Sequence, residues 1–425
     1  MTSEVLLMNR SAVAMAADSA VTITSDQGQK IYQSVDKVFQ LIDDRPIGIM
    51  IYNNAEIMNV PWETIISLYR EEAAGKSFDT IEGYAADFFL FIDNNLNLFP
   101  QDHQDFEFYR IVATIYGHIA STYDDQIKLL EEAGDGDLAL NHTSIFEFVV
   151  NEFHRIYTDP SRDSLACFSP DLGRRLEGRY REEVTSLIDY LIGFLQTDSP
   201  KLQVSDKTRS DLFDLAILSI TKDAFFEGFT GIVIAGFGKK DKFPSMASYY
   251  TSGVIDGTLK RSLEHQASVD AASGPVVMTF AHDDMIHTLM TGMDRTFRGF
   301  VFQEALRLTT SLVQDLIETL PGLTAEQKAA LFSKYSEENL RHALSTFFDT
   351  IEDYQTKVHT VPIVQAIHNL PRMELAETAA SLVRLNSFQQ KVTHQPETVG
   401  GPVDVALISR TDGFVLIRDI GVGGA

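Results

Sequence analysis

The sequence predicts a mixed α+β protein whose strands come from distant parts of the chain. Short apolar runs typical of strands lie near the N-terminus, in the middle and near the C-terminus, and long segments with helical spacing separate them. A sheet that collects these strands and is covered by helices buries all the apolar faces together. The separations are too wide for a simple βαβ repeat, and no repeat of fixed period is visible.

The clearest strand signals lie in the first 60 residues. Residues 5–16 hold two apolar runs around a polar turn, which is the pattern of a hairpin. Residues 35–52 hold a second pair of runs, joined by a turn with the sequence DDRP. Pro61 at a first helical position then predicts a helix that continues to about Glu72.

The rest of the chain alternates between helical blocks and short strands. Residues 78–228 and 284–390 keep helical spacing almost throughout. Aromatic side chains of the first block, among them Phe146 and Phe148, are expected to fill a core. Strands are predicted between and after the blocks, at residues 231–236, 245–250, 276–280, 403–409 and 414–418. An Asp-Gly turn joins the last two strands into a hairpin.

Composition and charge exclude several classes of protein. The chain has 425 residues, 44% hydrophobic and 22% charged, so it is long enough for two or three domains and is not disordered. A net charge of −25 repels phosphate, which argues against a nucleic-acid partner. No apolar run reaches the ~20 residues of a membrane helix, and we expect no signal peptide. With one cysteine, Cys167, the expected location is a reducing cytoplasm.

Most common catalytic and binding motifs are missing from the sequence. It contains no GxGxxG that opens a helix, no GxxxxGK[ST], HExxH or GxSxG pattern and no cysteine pair. One local cluster has residue types that bind metals, namely His282, Asp283, Asp284 and His287. Because this cluster follows an apolar strand and opens a helix, its aspartates are expected to cap the helix instead. We therefore predict neither a metal nor a cofactor.

The N-terminus carries a sharper chemical signal. Removal of Met1, which a small second residue permits, would expose Thr2. A terminal threonine holds a hydroxyl nucleophile and an α-amine in the same residue. The amine has an ordinary pKa of about 7.7–8.0, so near neutral pH much of it is free base and can accept the hydroxyl proton. Thr2 is therefore a candidate nucleophile.

Several segments accompany Thr2 in a fixed order along the chain. They are residues 16–19 (AADS), 34–38 (SVDKV), 48–50 (GIM) and 399–405 (VGGPVDV). This ordered set resembles the proteasome β-subunit family of N-terminal nucleophile hydrolases. That family has a terminal threonine, an AADS-like segment, a lysine-bearing strand, a glycine-bearing segment before the first helix and a GGP-V-D ending. The resemblance covers about residues 2–75, 207–300 and 370–420.

The resemblance implies a four-layer αββα sandwich, in which two antiparallel sheets pack face to face between two helical layers. Residues 1–77, 206–302 and 371–425 would form this core. Residues 78–205 and 303–370 would be helical insertions that ordinary family members lack. The insertions are expected to form a lid over the Thr2 pocket or to provide an assembly surface.

The resemblance also implies roles for individual residues. The Thr2 hydroxyl would attack an acyl carbon, and the Thr2 amine would take the hydroxyl proton. Lys37 would lie beside Thr2 and favour ionisation of the hydroxyl, and Asp18 would keep Lys37 charged and oriented. Backbone N–H groups near Tyr52 and Asn53 would hold the oxyanion.

Some positions depart from the family pattern. The oxyanion glycine of the family is replaced within the segment that holds Tyr52 and Asn53. Asp284 lies near the position of a family serine, and Glu397 is the acid nearest to the position of a family aspartate. Both are candidates to replace the groups that hold the terminal threonine. Ser19 would hydrogen-bond the catalytic segment or only its own turn.

Three hypotheses about function follow. The first is a proteasome-like threonine peptidase or amidase that acts on peptides or unfolded protein. The second is a proteasome-fold scaffold without activity, and the third is a hydrolase of the same mechanistic group that acts on a small amide. A mature N-terminus at Thr2 separates the second hypothesis from the other two. We expect a homo-oligomer with neither a nucleic-acid nor a membrane partner, and the sequence identifies no partner ATPase.

Overall fold

The computed structural model describes residues 3–25, 28–32, 35–132, 142–226, 228–270, 273–281, 283–393 and 400–418. Within them the protein is mixed α+β with antiparallel sheets, which confirms the predicted class. The strands are β1 (Ser3–Met8), β2 (Ala12–Asp18), β3 (Val21–Ser25), β4 (Gly28–Tyr32), β5 (Val38–Gln40), β6 (Ile47–Tyr52), β7 (Glu56–Ile57), β8 (Val60–Pro61), β9 (Thr230–Gly236), β10 (Ser245–Ile255), β11 (Thr258–Ser268), β12 (Val276–Ala281), β13 (Val403–Ser409) and β14 (Gly413–Ile417). The helices are α1 (Trp62–Glu72), α2 (Ile81–Asn94), α3 (Gln101–Glu132), α4 (His142–Thr158), α5 (Leu172–Asp198), α6 (Asp206–Thr221), α7 (Asp284–Thr291), α8 (Arg295–Thr319), α9 (Ala325–Lys334), α10 (Glu337–Gln355), α11 (Val361–His368) and α12 (Arg372–Val392). Among these helices, none has an apolar stretch that would cross a bilayer.

One sheet brings together strands from both ends and the middle of the chain. Its order is β12-β1-β2-β13-β14, and every neighbouring pair is antiparallel. β1 and β2 form the predicted N-terminal hairpin, and β13 and β14 form the predicted C-terminal one. β12 and β13 flank the first hairpin, so Ser3 pairs with Ala281 and Asp18 pairs with Val403. The prediction that distant segments assemble one sheet is confirmed.

The second sheet has the order β11-β10-β9-β6-β5. It contains predicted strands, but β5 begins at Val38 rather than at residue 35, and β10 continues past residue 250 to Ile255. β11 is absent from the sequence prediction because its sequence, TLKRSLEHQAS, is largely polar and lacks an apolar run. It forms a long hairpin with β10, so its tertiary pairing rather than its hydrophobicity makes it a strand.

Side chains of both sheets meet in one buried hydrophobic cluster. Leu6 of β1 and Met50 of β6 both belong to it. Because successive side chains of a strand point to opposite faces, the next residue in β1, Leu7, lies on the other face, where it packs with residues of α12. Ile49 of β6 likewise packs with residues of α1 and α2. Each sheet therefore has one face towards the other sheet and one face towards helices.

The first helical block builds a core of its own. α3, α4, α5 and α6 contribute to one buried cluster, whereas α2 packs against the second sheet with α1. The helices that share this cluster run from α3 to α6. Phe146 is buried in its core, but Phe148 is 59% exposed, so the prediction of a core role is wrong for Phe148.

Lys260 of β11 connects the second sheet to this helical block. Its side chain is buried, and its ammonium donates to the carbonyl of Ser219 at 2.6 Å and to that of Ala224 at 2.7 Å. Burial lowers the pKa of Lys260 to about 7, although the neighbouring Cys167 and Glu107 act in the opposite direction. The unfolded chain keeps the proton up to the ordinary lysine pKa. The contribution of Lys260 to the free energy of unfolding is therefore lowest below pH 7, and it increases as the pH rises from about 7 to the ordinary pKa of lysine.

This linkage predicts a pH-dependent difference between the wild type and Lys260→Met. From pH 7 to pH 9, we expect the free energy of unfolding of the wild type, minus that of the variant, to increase by roughly 2 kcal/mol. Urea unfolding at the two pH values measures this difference. Lys240→Met, which removes an exposed lysine from a surface ion pair, is the control and should show no comparable change. If the free energy of unfolding of the wild type minus that of Lys260→Met stays constant with pH, this result would contradict the lowered pKa of Lys260.

Candidate active site

Asp18 and Lys37 form a buried ion pair. Asp18 is the last residue of β2 in the first sheet, and Lys37 directly precedes β5 in the second. The Lys37 Nζ atom lies 2.7 Å from Asp18 Oδ1, and the side chains are 5% and 0% exposed. The pair therefore links the two sheets. Lys37 does not lie inside a strand as predicted, although its carbonyl accepts a hydrogen bond from the Ile51 N–H at 2.8 Å.

A second carboxylate, from Glu4, also faces the Lys37 ammonium. Glu4 Oε1 lies 3.5 Å from Lys37 Nζ, and the Glu4 side chain is fully buried. The sequence prediction does not include this residue. The sequence pattern could have identified Glu4, because Glu4 lies on the same strand face as Leu6, which packs between the sheets. A charged residue on the buried face of an apolar strand needs a partner of opposite charge.

Asp18 also fixes two backbone segments that are far apart in the sequence. Its Oδ1 atom accepts a hydrogen bond from the Ser3 N–H at 3.1 Å, and its Oδ2 atom accepts one from the Gly400 N–H at 2.9 Å. The Ser3 hydroxyl in turn accepts a hydrogen bond from Asn386 of α12 at 2.7 Å. Asp18 thus holds the start of β1, the Gly-Gly-Pro segment and Lys37 in one arrangement. The proposed nucleophile, Thr2, lies outside the described residues.

The loop after β6 contains the two residues expected at the oxyanion site. Asn53 has φ +72°, in the left-handed region that favours glycine and that asparagine also adopts. The Asn53 side-chain amide donates to the Phe229 carbonyl at 2.7 Å, which ties the loop to the segment before β9. Tyr52 packs between the sheets, and its hydroxyl donates to Glu264 Oε2 at 2.9 Å. Burial, reinforced by the charge of Glu264, raises the pKa of Tyr52 above its ordinary value.

The remaining candidates take different positions. The Ser19 hydroxyl donates to the Pro402 carbonyl at 2.9 Å, so Ser19 holds the Gly-Gly-Pro segment beside its own turn. Asp284 follows β12, whose end pairs with Ser3, but its side chain is 42% exposed and lies 3.8 Å from Arg295. Within the described residues, the carboxylates that lie within 4.0 Å of Lys37 Nζ are those of Glu4 and Asp18, and Asp284 is not one of them. Glu397 lies outside the described residues.

Two aspartates of the cluster of metal-binding residue types near α7, Asp283 and Asp284, lie close to the Arg295 guanidinium. Asp283 occupies the N-cap position of α7, but its side chain makes no capping hydrogen bond. Its carboxylate accepts instead from the Thr279 hydroxyl at 2.9 Å and from the Arg295 guanidinium at 2.5 Å. Asp283 therefore lies at the predicted N-cap position, but the predicted capping hydrogen bond of its side chain is absent. His282 lies outside the described residues. Elsewhere in the described chain, one surface group is close enough to share an ion: His154, Asp211 and Asp214.

Two cavities border the loop after β6, and Asn54 lines both. The smaller cavity, of about 100 Å³, is lined by Lys37 and Asn53 together with apolar side chains that include Ile51 and Trp62. The larger cavity, of about 450 Å³, lies between this loop and α3 of the first helical block. The lysine, the loop and the small apolar cavity therefore form one continuous site.

Comparison with known proteins assigns no family to this chain. No protein-family model and no curated protein matches it. The resemblance to proteasome β-subunits therefore depends on the sequence motifs alone.

Proposed function

We propose that this protein is a proteasome-like threonine hydrolase that cleaves a peptide or amide bond with Thr2 as its nucleophile. The observation that carries the proposal is the hydrogen bond from the Ser3 N–H to Asp18, the carboxylate that pairs with Lys37. Because Thr2 is covalently bound to that Ser3 nitrogen, the terminal residue is attached directly beside the ion pair. The motif order in the sequence and the contacts in the fold thus support the same three residues.

The arrangement of the sheets supports the same proposal at the level of the fold. Two five-stranded antiparallel sheets share one hydrophobic cluster, and helices pack on the outer face of each. We assign this arrangement to the four-layer αββα sandwich of N-terminal nucleophile hydrolases. The helical block from α3 to α6 would then be an insertion into that sandwich.

In the proposed reaction the Thr2 hydroxyl oxygen bonds to the carbonyl carbon of the substrate. Its proton passes to the Thr2 α-amine, directly or through a water, and then to the departing amine as the C–N bond breaks. The acyl group remains as an ester on Thr2, and water hydrolyses this ester to release the acid and restore the hydroxyl. The Lys37 ammonium favours the ionised hydroxyl by its charge, and Asp18 and Glu4 hold that ammonium in place.

The backbone N–H at Asn53 is the proposed donor to the oxyanion. A donor fixed before the reaction stabilises the negative charge that develops in the transition state. The left-handed φ of Asn53 is compatible with this role, because it is a backbone conformation that favours glycine, the residue that the family pattern has in this segment. The adjacent cavity of about 100 Å³ is much smaller than a site for a drug-sized ligand, so we propose a substrate with a small apolar side chain there.

Mass analysis of the N-terminus together with covalent labelling tests the proposal. We expect the mature protein to begin at Thr2 and to take up one equivalent of a peptide epoxyketone, which reacts with both the amine and the hydroxyl of a terminal threonine. Fragment masses should place the adduct on Thr2, and urea-unfolded protein, the control, should not be labelled. If residues before Thr2 are fully retained, the proposed base is lost and the inactive-scaffold hypothesis stands. An adduct at any other residue would overturn the choice of nucleophile.

A further inference from the structure

The larger of the two cavities beside the loop after β6 has the size of a ligand site. Its volume of about 450 Å³ lies within the range of about 300–1,000 Å³ that is usual for such sites. Asn54 lines both cavities, Ala55 lines the smaller one and Glu56 lines the larger one. A ligand that fills both cavities therefore extends along this segment of the chain, which a peptide does and a single-residue amide does not.

Hydrogen bonds hold the walls of the larger cavity in place. The Asn54 side-chain amide donates to the Gly228 carbonyl, on the segment before β9. The Met58 Sδ atom accepts from the Val254 N–H at 3.1 Å, which ties the turn between β7 and β8 to β10. The loop after β6, this turn and β10 are thus fixed around the cavity, as in a preformed binding site.

An ion pair on α3 supplies charge to this cavity. The Arg110 Nε and Nη2 atoms each donate to the Glu107 carboxylate at 2.7 Å, and the Ser252 hydroxyl of β10 donates to the same carboxylate at 3.1 Å. Gly253 permits this arrangement, because a Cβ atom there would lie 2.1 Å from Glu107 Cγ. The Glu107 side chain is 7% exposed and the Arg110 side chain is 35% exposed. The first helical block therefore places a fixed guanidinium against β10.

One nitrogen of this guanidinium is available to a ligand. Among the described residues, Arg110 Nη1 donates to no acceptor. It lies beside Gly228, another residue of the cavity wall, where a Cβ atom would be 3.5 Å from it. A guanidinium is a donor only, so its ligand must offer an oxygen. Glu107 and the exposed Glu56 already supply two carboxylates to this cavity, which favours an uncharged carbonyl over a further carboxylate.

We propose that the larger cavity is a substrate subsite for a large uncharged side chain with a carbonyl group, such as that of glutamine. This inference rests on the proposed hydrolase function and deepens it, because the substrate is then a peptide of several residues and not a small amide. A small side chain occupies the smaller cavity, and Arg110 Nη1 donates to the side-chain carbonyl of a flanking residue. Phe106, which is 68% exposed and lines the larger cavity, packs on the methylene groups of that residue.

Hydrolysis of matched internally quenched peptides tests the proposal. Each peptide has alanine before the scissile bond and has glutamine, methionine or glutamate at one flanking position on either side. At one position we expect kcat/KM for glutamine to exceed that for methionine by about tenfold, because methionine has a similar size and cannot accept the hydrogen bond from the charged donor. Glutamate at that position should also be about tenfold slower than glutamine, because its carboxylate meets two others.

Replacement of the ion pair by apolar side chains tests the donor. The double variant Glu107→Met, Arg110→Met should lose the preference for glutamine over methionine. It should hydrolyse an alanine coumarin amide, which does not reach the larger cavity, at the wild-type rate. The matched control is Glu152→Met, Arg155→Met on α4, which removes an exposed pair of the same spacing and should keep the preference. Urea unfolding of both variants checks the fold.

Glu56→Gln tests the charge of the cavity without a change in the buried ion pair. This substitution on exposed β7 should weaken the discrimination against glutamate and leave the preference for glutamine over methionine unchanged. If Glu107→Met, Arg110→Met does not fold, unchanged discrimination against glutamate in Glu56→Gln would overturn the proposal.

The failure of the subsite differs from the failure of the hydrolase function. Peptide hydrolysis without a preference for glutamine at any flanking position would overturn the subsite and leave the hydrolase function standing. A preference that the double variant retains would do the same. Wild-type protein that neither hydrolyses these peptides nor is labelled at Thr2 would overturn the hydrolase function, and the subsite with it.

Discussion

Replacement of Lys37 by methionine is expected to lower the free energy of unfolding by about 3–5 kcal/mol and to abolish activity. The variant keeps the carboxylates of Asp18 and Glu4, which are fully buried, but removes the cation that lies between them. Removing one partner of a buried ion pair leaves a charge without compensation, which costs far more than the loss of a surface pair. Urea unfolding gives the change in stability, and epoxyketone labelling gives the change in activity.

Two control variants separate the charge from the side chain's other contacts. Lys207→Met removes a lysine whose side chain is 73% exposed and should change stability by less than about 1 kcal/mol. The triple variant Glu4→Gln, Asp18→Asn, Lys37→Met neutralises the whole cluster and should recover much of the lost stability while it remains inactive. If Lys37→Met is as stable as the wild type, the three side chains do not form the buried charge cluster described above.

Replacement of Thr2 by alanine should reduce peptide hydrolysis by about 10³-fold or more with little change in stability. Alanine also permits removal of Met1, so this variant keeps the terminal amine and loses only the hydroxyl nucleophile. Catalytic groups that act as one unit lose most of their effect when one member is removed. Initial rates on short fluorogenic peptides with a small residue before the scissile bond measure the effect, and urea unfolding checks the fold.

Thr2→Ser is the matched control because it retains both the hydroxyl and the amine. It should keep measurable hydrolysis and should still be labelled at residue 2. Equal rates for Thr2→Ala and the wild type would refute Thr2 as the nucleophile. Equal losses in Thr2→Ala and Thr2→Ser would contradict the expectation that a terminal hydroxyl and amine are sufficient, and would indicate that the threonine methyl group is needed to position the residue.

Local sequence patterns predicted the elements whose signals are strong within a few residues. The β1–β2 hairpin, the helix after Pro61 and the final hairpin have clear alternation or turn residues, and the structure contains all three. β11 was missed because its stability depends on pairing with β10, which a local pattern does not report. Phe146 and Phe148 belong to one helix and have similar chemistry, yet only the packing of the neighbouring helices determines which of them is buried.

The residues of the candidate site likewise include some that the sequence identified and others that only the tertiary structure revealed. The sequence by itself determined the identities and order of Thr2, Asp18 and Lys37, because the motifs that contain them are short and local. Tertiary structure alone decided that Glu4 joins Lys37, that Gly400 donates to Asp18 across 382 residues of chain, and that Asp284 lies with Arg295 instead. The physical reason is that an ion pair depends on distances of a few ångströms and on exclusion of water. Both are set by the packing of two sheets whose strands come from distant parts of the chain.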